Sequence, residues 1–409
     1  ASEGETELYA TATRTQLVKR AIPRMTSFGK ARAKRSAAHR RAAYRGTKRG
    51  LVILAQFSDY SFATDHDIVL YANILNTEGY TDSNGFRGSV RDYFKAQSGG
   101  VFDLQFDVVG PVTLSKKQSY YGKNDSRTDE DLHAAEMIIE ACKLADASGV
   151  DFSKYDWGGD GEVDQVYVVY AGKGEADGGE AYTIWPHEYD LESAKYYGDG
   201  TGPLRLDGVK VNTYACGSEL DGSSHIEGIG TFCHEFSHCL GYPDMYDTEY
   251  AGNFGMSNFD LMDMGSYNGD GFKPAGYSSY EKWVAGWLTP TELADEEVTV
   301  SDLKPMSEGG EAFVIYNRAH PDEYYLVENR QKTNWDAQLP AKGLMVIHVD
   351  YSELCWEWNM VNTVIDYEEE HGKDYAGKAL FDKADALVRQ GFFTKWGTPE
   401  RMQGLDFFW

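Results

Sequence analysis

Cysteine is scarce in this sequence, since the 409 residues include only five, an odd number without regular spacing. A small disulfide-bonded scaffold is therefore excluded, and cysteine alone does not indicate the compartment. Long apolar segments are also missing, and the longest, such as 51–55 and 166–171, have the length of a buried strand. Because a membrane-spanning helix needs about 18 to 20 apolar residues, the sequence predicts no membrane span.

Positive charge is rare outside the N-terminus. Residues 1–50 hold 13 of the 39 Lys and Arg residues and only three of the 65 acidic residues, and the formal net charge of the chain is −26. A basic arm occurs in nucleic-acid-binding proteins, but the aromatic interleaving and recognisable binding fold that accompany this function are not found here. We therefore expect no nucleic-acid partner and interpret the acidic body as a soluble, secreted domain.

Residues 1–49 lack Asp, Cys and a sustained apolar face. They contain four dibasic pairs, at 19–20, 34–35, 40–41 and 48–49. Two interpretations stay open: a helical or disordered tail, or a basic pro-segment or linker that a trypsin-like enzyme cuts. Without Asp or Cys, this segment contains no side chain for an aspartate or cysteine switch. No signal peptide precedes it, so we expect that an exported protein would begin here after cleavage.

Hydrophobic periodicity predicts an α+β fold. Strands are predicted at 51–57, 102–108 and 166–170, and helices at 89–96, 129–147 and 226–240. After Pro290 the pattern changes to short alternating strands, at 311–316, 323–328 and 343–349. We therefore place a domain boundary near residue 290.

Two histidines four residues apart, His234 and His238, lie on the predicted helix 226–240. Side chains at this spacing share one helix face, so both imidazoles can bind one zinc ion. Glu235 lies about 100° round the helix from His234, where its carboxylate can reach a metal-bound water. Zinc lowers the pKa of such a water towards ~7, so Glu235 is the candidate general base for attack on a carbonyl carbon.

A third ligand requires the helix to end soon after His238. Gly241 permits a left-handed turn and Pro243 cannot continue a helix, so Asp244 can turn back towards the metal. Asp247 is a competing third ligand, although a supporting role beside the site suits it better. Two His, one Asp and a water form a catalytic arrangement, whereas a structural zinc site has four protein ligands.

Four other residues carry ligand chemistry, and packing is the favoured interpretation for each of them. Cys233 and Cys239 offer thiolates but lie away from the face that carries the two histidines. His187 belongs to an aromatic segment, where a wall of the cleft and a packed core position are both open. His348 lies within an apolar strand.

The segment 259–267 resembles the turn that places a methionine beneath the zinc ligands of metzincin-type peptidases. Met262 matches this position better than Met264 because it follows the apolar Leu261. Such a methionine packs below the site and does not bind the metal. Three tyrosines are open candidates for hydrogen bonding to the tetrahedral oxyanion: Tyr267, Tyr277 and Tyr280.

These residues together resemble the immune inhibitor A family of secreted bacterial zinc metallopeptidases. The resemblance covers residues 50 to about 352 and is carried by seven stretches: 50–59, 92–100, 156–169, 183–187, 234–247, 325–330 and 343–350. It implies zinc at His234, His238 and Asp244, Glu235 as catalytic base, and cleavage of proteins or peptides outside the cell. It also implies a metzincin-like zincin fold with a twisted mixed β-sheet, a backing helix, an active-site helix and a lower subdomain below the cleft.

The domains that follow from this resemblance are a pro-segment or linker (1–49), a zinc metallopeptidase catalytic domain (50–290) and a β-rich C-terminal region (291–409). Residues 353–409 resemble the family less and are assigned no role.

Two alternatives to an active peptidase stay open. One is a zinc-stabilised binding or adhesion module, and the other is a latent zymogen whose cleft is blocked by residues 1–49.

The stretch 156–164 resembles an Asp-rich, calcium-loop-like segment of the family. Such loops place oxygen atoms at alternate positions around Ca²⁺. Gly158 stands where a further carboxylate is expected, so calcium binding and a plain acidic turn both stay open. Four carboxylates remain as candidate calcium ligands: Asp156, Asp160, Glu162 and Asp164.

Overall fold

The computed structural model describes residues 44–126, 130–248, 255–293, 298–316, 323–351, 359, 363–364, 395–396 and 402–408. Residues 1–43 of the predicted pro-segment and most of the segment 353–409 lie outside these described residues. The chain divides into two compact units, of which the first includes Gly50–Ala72 and Asp107–Glu227 and the second includes Asn73–Phe106 and Gly228–Trp409. The domain boundary near residue 290 stays a prediction.

The described residues form seven α-helices and 14 β-strands. The helices are α1 (Ile68–Asn76), α2 (Val90–Gln97), α3 (Gln118–Tyr121), α4 (Ala134–Ala147), α5 (Leu191–Tyr197), α6 (Ile229–Cys239) and α7 (Ser279–Val284). The strands are β1 (Gly46–Gln56), β2 (Phe102–Thr113), β3 (Val166–Lys173), β4 (His187–Asp190), β5 (Leu204–Leu206), β6 (Val209–Val211), β7 (Thr213–Leu220), β8 (Thr291–Glu292), β9 (Phe313–Tyr316), β10 (Glu323–Arg330), β11 (Gly343–Asp350), β12 (Thr363–Val364), β13 (Lys395–Trp396) and β14 (Met402–Phe408). Among the described helices, none combines the length and the apolar character that crossing a bilayer requires.

The first unit contains most of a five-stranded sheet with the order β2-β1-β3-β7-β4. Strand β3 pairs in parallel with β1 and β7, whereas β4 is antiparallel to β7, so the sheet is mixed. The continuous apolar run at 51–55 is fully buried, as expected for a parallel strand covered on both faces. Helix α4 contributes Met137, Ile138 and Cys142 to the same core as Ile53. The predicted combination of helices with a mixed sheet is confirmed.

The second unit contains a seven-stranded sheet with the order β12-β14-β11-β10-β9-β8, in which β13 also pairs with β14. Strands β10 and β11 are antiparallel, with Glu323 opposite Asp350 and Arg330 opposite Gly343. These two strands correspond to those predicted at 323–328 and 343–349. Strand β9 begins at Phe313 rather than at residue 311.

Two helices begin later than their sequence patterns predict. Helix α4 begins at Ala134 rather than at 129, and the carboxylate of Asp199 caps it by accepting the N–H groups of Ala135 and Glu136 at 2.6 and 3.2 Å. Helix α6 begins at Ile229 rather than at 226 because Ile226 forms a β-bridge with Leu220. Both starts depend on residues that are distant from the helix or belong to another element.

Helix α6 packs directly against the backbone of the segment 264–271 in the second unit. A Cβ atom added at Gly230 would lie 1.8 Å from the Ser266 carbonyl oxygen, and the Gly230 N–H donates to the Gly271 oxygen at 2.9 Å. On the aromatic side of the helix, the Phe236 ring lies 5.2 Å from Phe94 and 5.5 Å from Phe106. Contacts on both sides therefore fix the orientation of this helix.

Candidate metal centre

Helix α6 places His234 and His238 on one buried face, as their spacing predicts. Leu240 caps the helix, and Gly241 follows with φ +92°, the left-handed conformation that the sequence requires there. The chain then turns back, so that the carboxylate of Asp244 lies beside both imidazoles.

Three ligand atoms form a nearly equilateral triangle. The Nε2 atoms of His234 and His238 are 3.2 Å apart, and Asp244 Oδ1 lies 3.1 Å from the first and 3.3 Å from the second. Tetrahedral zinc with bonds of about 2.0–2.1 Å places its ligand atoms about 3.3 Å from one another. The three atoms therefore fit one tetrahedral metal ion and leave its fourth position open.

The tautomers of both histidines follow from their backbone partners. His234 Nδ1 lies 2.8 Å from the Leu261 carbonyl oxygen, and His238 Nδ1 lies 2.7 Å from that of Tyr242. Because a carbonyl oxygen can only accept, each Nδ1 carries the proton and each Nε2 has a lone pair directed towards the centre of the triangle. Two lone pairs and a carboxylate oxygen directed at one point are the donor set that a metal cation requires.

The carbonyl that orients His234 belongs to the turn predicted to lie beneath the site. Met262 is fully buried, and its carbonyl oxygen accepts the N–H of Met245 at 2.8 Å. Met264 is only half-buried. The placement of Met262 therefore agrees with the packing role that the sequence assigns to it.

A buried charge network holds this turn, and the sequence analysis missed it. The guanidinium of Arg330 donates to Asp336 at 2.8 Å, to Glu328 at 3.2 Å and to the Phe259 carbonyl oxygen at 2.9 Å. Asp260 in turn accepts the N–H of Met262 at 2.8 Å. A partial signal was available, because Glu328 ends a predicted strand and Arg330, two positions further along, carries the opposite charge and would share its face if the strand continued.

A carboxylic acid pair belongs to the same network. Burial, together with the neighbouring Asp260 carboxyl, raises the pKa of Glu281 well above its usual range. Glu281 caps helix α7 by accepting the N–H of Ser278 at 2.8 Å. The buried surroundings of Glu281 therefore favour its protonated form over its ionised form.

The other residues of the zinc segment are placed as follows. Glu235 is buried on α6, directly after the first histidine. Asp247 is buried as well. The residues whose ligand atoms lie within 4.8 Å of one another are His234, His238 and Asp244, and Asp247 is not part of this group. Cys233 is fully buried, and its burial raises the pKa of the thiol well above the usual range, whereas Cys239 is half-buried.

The two further histidines make contacts of the packing type. His187 Nδ1 lies 2.6 Å from the Trp185 carbonyl oxygen, and its Nε2 lies 3.1 Å from the Tyr214 hydroxyl. His348 is buried, with Nε2 at 3.2 Å from a Glu323 carboxylate oxygen. These contacts agree with the interpretation of both residues as packed histidines.

The candidate oxyanion tyrosines differ in accessibility. Tyr277 is fully buried, and its hydroxyl is hydrogen-bonded to Ser237 on α6. Tyr280 is also buried, whereas Tyr267 is 39% exposed. Of these three, Tyr267 is the one whose side chain can meet a substrate.

The acidic loop turns the carboxylate of Asp156 towards its own backbone. Asp156 accepts the N–H groups of Gly159, Asp160 and Gly161 at 2.7 to 3.1 Å. Across the described residues, two groups bring three ligand atoms within 4.8 Å of one another, His234/His238/Asp244 and His133/Glu136/Asp199. The loop is not one of them, and calcium binding there stays a prediction.

Residues 46–288 match the immune inhibitor A peptidase M6 catalytic domain, a match that covers more than half of the chain and includes the whole zinc segment. The chain belongs to this family. Its members are metallopeptidases, so the family implies a metal, and the group of His234, His238 and Asp244 is a candidate for holding it.

Three relatives support this assignment. The pre-pro-metalloprotease PrtV of Vibrio cholerae is 28% identical over 257 residues, which is 56% of this chain and 27% of PrtV. Immune inhibitor A of Bacillus thuringiensis subsp. alesti is 25% identical over 295 residues, 61% of this chain and 42% of the relative. A putative secreted metallopeptidase of Arthroderma benhamiae is 28% identical over 232 residues, 49% of this chain and 32% of the relative. The chain therefore spans between about a quarter and two fifths of these proteins.

Proposed function

We propose that the protein is a secreted zinc-dependent endopeptidase that cleaves protein substrates. In this proposal zinc is held by His234, His238 and Asp244, and Glu235 is the general base. The observation that carries it is the triangle of ligand atoms, 3.1 to 3.3 Å apart, whose two histidines are oriented by backbone carbonyls. This triangle lies within the region that matches the peptidase family.

Zinc and the residues around it have different roles in the proposed reaction. Zinc, when bound, supplies Lewis-acid chemistry that polarises a substrate carbonyl and lowers the pKa of a coordinated water. Glu235 follows His234 on α6, accepts the proton of the attacking water and passes it to the leaving amine. The Leu261 and Tyr242 carbonyls keep both imidazoles in the tautomer and orientation that expose Nε2.

The finer features of the fold belong to the same proposal. A metzincin-like arrangement is supported by the fully buried Met262 and by the adjacent Leu261 carbonyl, which hydrogen-bonds to a proposed ligand. The proposed domains are a pro-segment or linker at 1–49, a catalytic domain at 50–290 and a β-rich region at 291–409. Secretion is supported by the names of the relatives, one of which is called a pre-pro-metalloprotease and another a secreted metallopeptidase.

Calcium at the acidic loop is a separate part of the proposal. Asp156, Asp160, Glu162 and Asp164 supply carboxylates in a turn that is rich in glycine, as calcium loops require. Isothermal titration calorimetry with calcium tests this part of the proposal, and Asp160→Asn is the variant that is compared with wild type. Equal heats for wild type and variant would show that this loop is a plain acidic turn.

The test of the main proposal is digestion of casein by wild type and by Glu235→Gln, with zinc content measured on both samples. We expect one zinc in each protein and cleavage by wild type alone, because glutamine cannot accept the proton of the water. If both proteins carry zinc and neither cleaves casein, the site belongs to a binding module or to a latent form.

Limited digestion with a trypsin-like enzyme separates those two alternatives. A zymogen whose cleft is blocked by residues 1–49 becomes active when the chain is cut between Lys34 and Arg49. A zinc-stabilised binding module stays inactive after the same cut. Mass spectrometry of the nicked protein confirms where the chain was cut.

A further inference from the structure

A residue of the C-terminal segment hydrogen-bonds to the proposed aspartate ligand. Asn359 Nδ2 donates to Asp244 Oδ2 at 2.8 Å, and the Asp244 N–H donates to Asn359 Oδ1 at 2.6 Å. The Thr248 hydroxyl donates to the Asn359 carbonyl oxygen at 2.7 Å. One side-chain amide thus binds both the backbone and the carboxylate of Asp244, although the two residues are 115 positions apart.

We propose that Asn359 is a positioning residue that makes Asp244 a one-oxygen ligand of the metal. The inference rests on the proposed function, since it assumes that the metal is held at this group. Asp244 Oδ1 faces the histidine nitrogens at 3.1 and 3.3 Å, whereas Oδ2 accepts from Asn359. Binding the metal through both oxygens would break that hydrogen bond, so the fourth position stays available to water.

The chemistry of asparagine suits this position in two ways. Its amide offers a donor and an acceptor at once, which matches the carboxylate oxygen and the N–H of Asp244. The backbone of Asn359 has φ +54°, in the left-handed region that asparagine adopts more readily than most residues. Aspartate at 359 would lose the donor and set two carboxylates against each other.

Hydrogen-bonding partners behind metal ligands orient them and tune the affinity for the metal. The histidines receive this support from the carbonyls of Leu261 and Tyr242, both within 27 residues of their ligand. Asp244 receives it from Asn359, in the segment to which the sequence assigned no role. Each of the three proposed ligands thus has a partner behind it, and one of these partners comes from a distant part of the chain.

The experiment compares wild type with Asn359→Gly, because glycine keeps the positive φ without strain and removes only the side chain. Zinc affinity is measured by competition with a chromogenic chelator. The coordination number of the metal is obtained from the visible absorption of the cobalt-substituted protein. We expect the Kd for zinc to rise about 10- to 100-fold. We also expect weaker cobalt absorption, because an Asp244 that binds through both oxygens raises the coordination number.

The matched control is Asn329→Ala. The Asn329 side chain donates to the Leu303 carbonyl at 2.7 Å and accepts from Gln331 at 2.8 Å, so it is hydrogen-bonded to groups other than the proposed ligands. We expect this variant to bind zinc as wild type does. Asn359→Ser is the second variant and serves in place of Asn359→Gly if that protein does not fold.

The outcomes distinguish this inference from the proposed function. A wild-type protein that binds no zinc overturns both. The positioning role alone is overturned if the wild-type protein binds one zinc and Asn359→Gly behaves as wild type does. In that case the Kd of the variant for zinc lies within twofold of the wild-type Kd, and its cobalt spectrum is unchanged. A lower melting temperature of the metal-free variant with unchanged zinc affinity leads to the same conclusion, since Asn359 then only supports the fold.

Discussion

The Nε2 atoms of His234 and His238 face each other at 3.2 Å. Both protons are held on Nδ1 by the carbonyls of Leu261 and Tyr242. The Asp244 carboxylate adds a third electron-rich atom at 3.1 and 3.3 Å. A metal cation bound by these three atoms stabilises the folded state.

Metal removal should therefore lower the thermal stability of the protein. A metal present at 100 times its Kd contributes about 2.7 kcal/mol to the folded state, and a strong chelator removes this contribution. We expect a lower melting temperature with chelator and full recovery after zinc is added back. In the control variant His238→Ala the chelator should change the melting temperature little. If zinc-loaded and zinc-free wild type melt at the same temperature, the assignment of the site is contradicted.

Gly230→Ala should destabilise the second unit. Its new Cβ would lie 1.8 Å from the Ser266 carbonyl oxygen, so α6 or the segment that contains Ser266 has to move. Overpacking of this kind costs about 1–3 kcal/mol or more, which urea unfolding measures. The control is Cys239→Ala, a half-buried position on the same helix, for which we expect a smaller change. Equal stability of Gly230→Ala and wild type would show that α6 does not pack closely against the Ser266 carbonyl oxygen.

Arg330→Met should cost far more than the loss of a partly exposed ion pair. The substitution leaves the fully buried carboxylates of Glu328 and Asp336 without their cation, which typically costs about 3–5 kcal/mol. The control is Arg91→Met, whose bidentate pair with Asp103 is partly exposed, so we expect about 1 kcal/mol or less. Chemical unfolding of both variants measures the difference, and a similar loss in the two would show that burial does not govern these pairs.

Asp131→Asn should make the stability of the protein less dependent on pH. Burial raises the pKa of the Asp131 carboxyl from 3.8 to about 8 in the folded protein. The folded state therefore binds more protons between these values, and the associated stability is present below pH 4 and lost as the pH rises towards 8. Asparagine stays neutral and retains an acceptor for the Trp185 N–H, which Asp131 accepts at 2.9 Å.

Melting temperatures at pH 5 and pH 9 test this prediction. Each pKa unit corresponds to about 1.4 kcal/mol, so even half of the shift amounts to about 3 kcal/mol. We expect Asp131→Asn to gain stability relative to wild type as the pH rises, so that its advantage is much larger at pH 9 than at pH 5. Parallel pH profiles of the two proteins would refute the raised pKa.

The sequence determined the elements of the site whose signals are local. The four-residue spacing of His234 and His238 fixes a common helix face by geometry alone. Gly241 then fixes the left-handed turn that returns Asp244 to the histidines. These positions were predictable because each depends on the backbone geometry of residues that lie within a few turns of one another.

The tertiary structure alone decided the groups that support the site. Asn359 reaches Asp244 across 115 residues, Asp199 caps a helix that begins about 65 residues before it, and Arg330 donates to the Phe259 carbonyl 71 residues away. Hydrogen bonds over such separations leave no periodic pattern in the sequence, since they depend on how whole elements pack. The sequence by itself therefore determined which residues are the candidates for the chemistry of the proposed metal site, and the packing of distant segments determined what holds those residues in place.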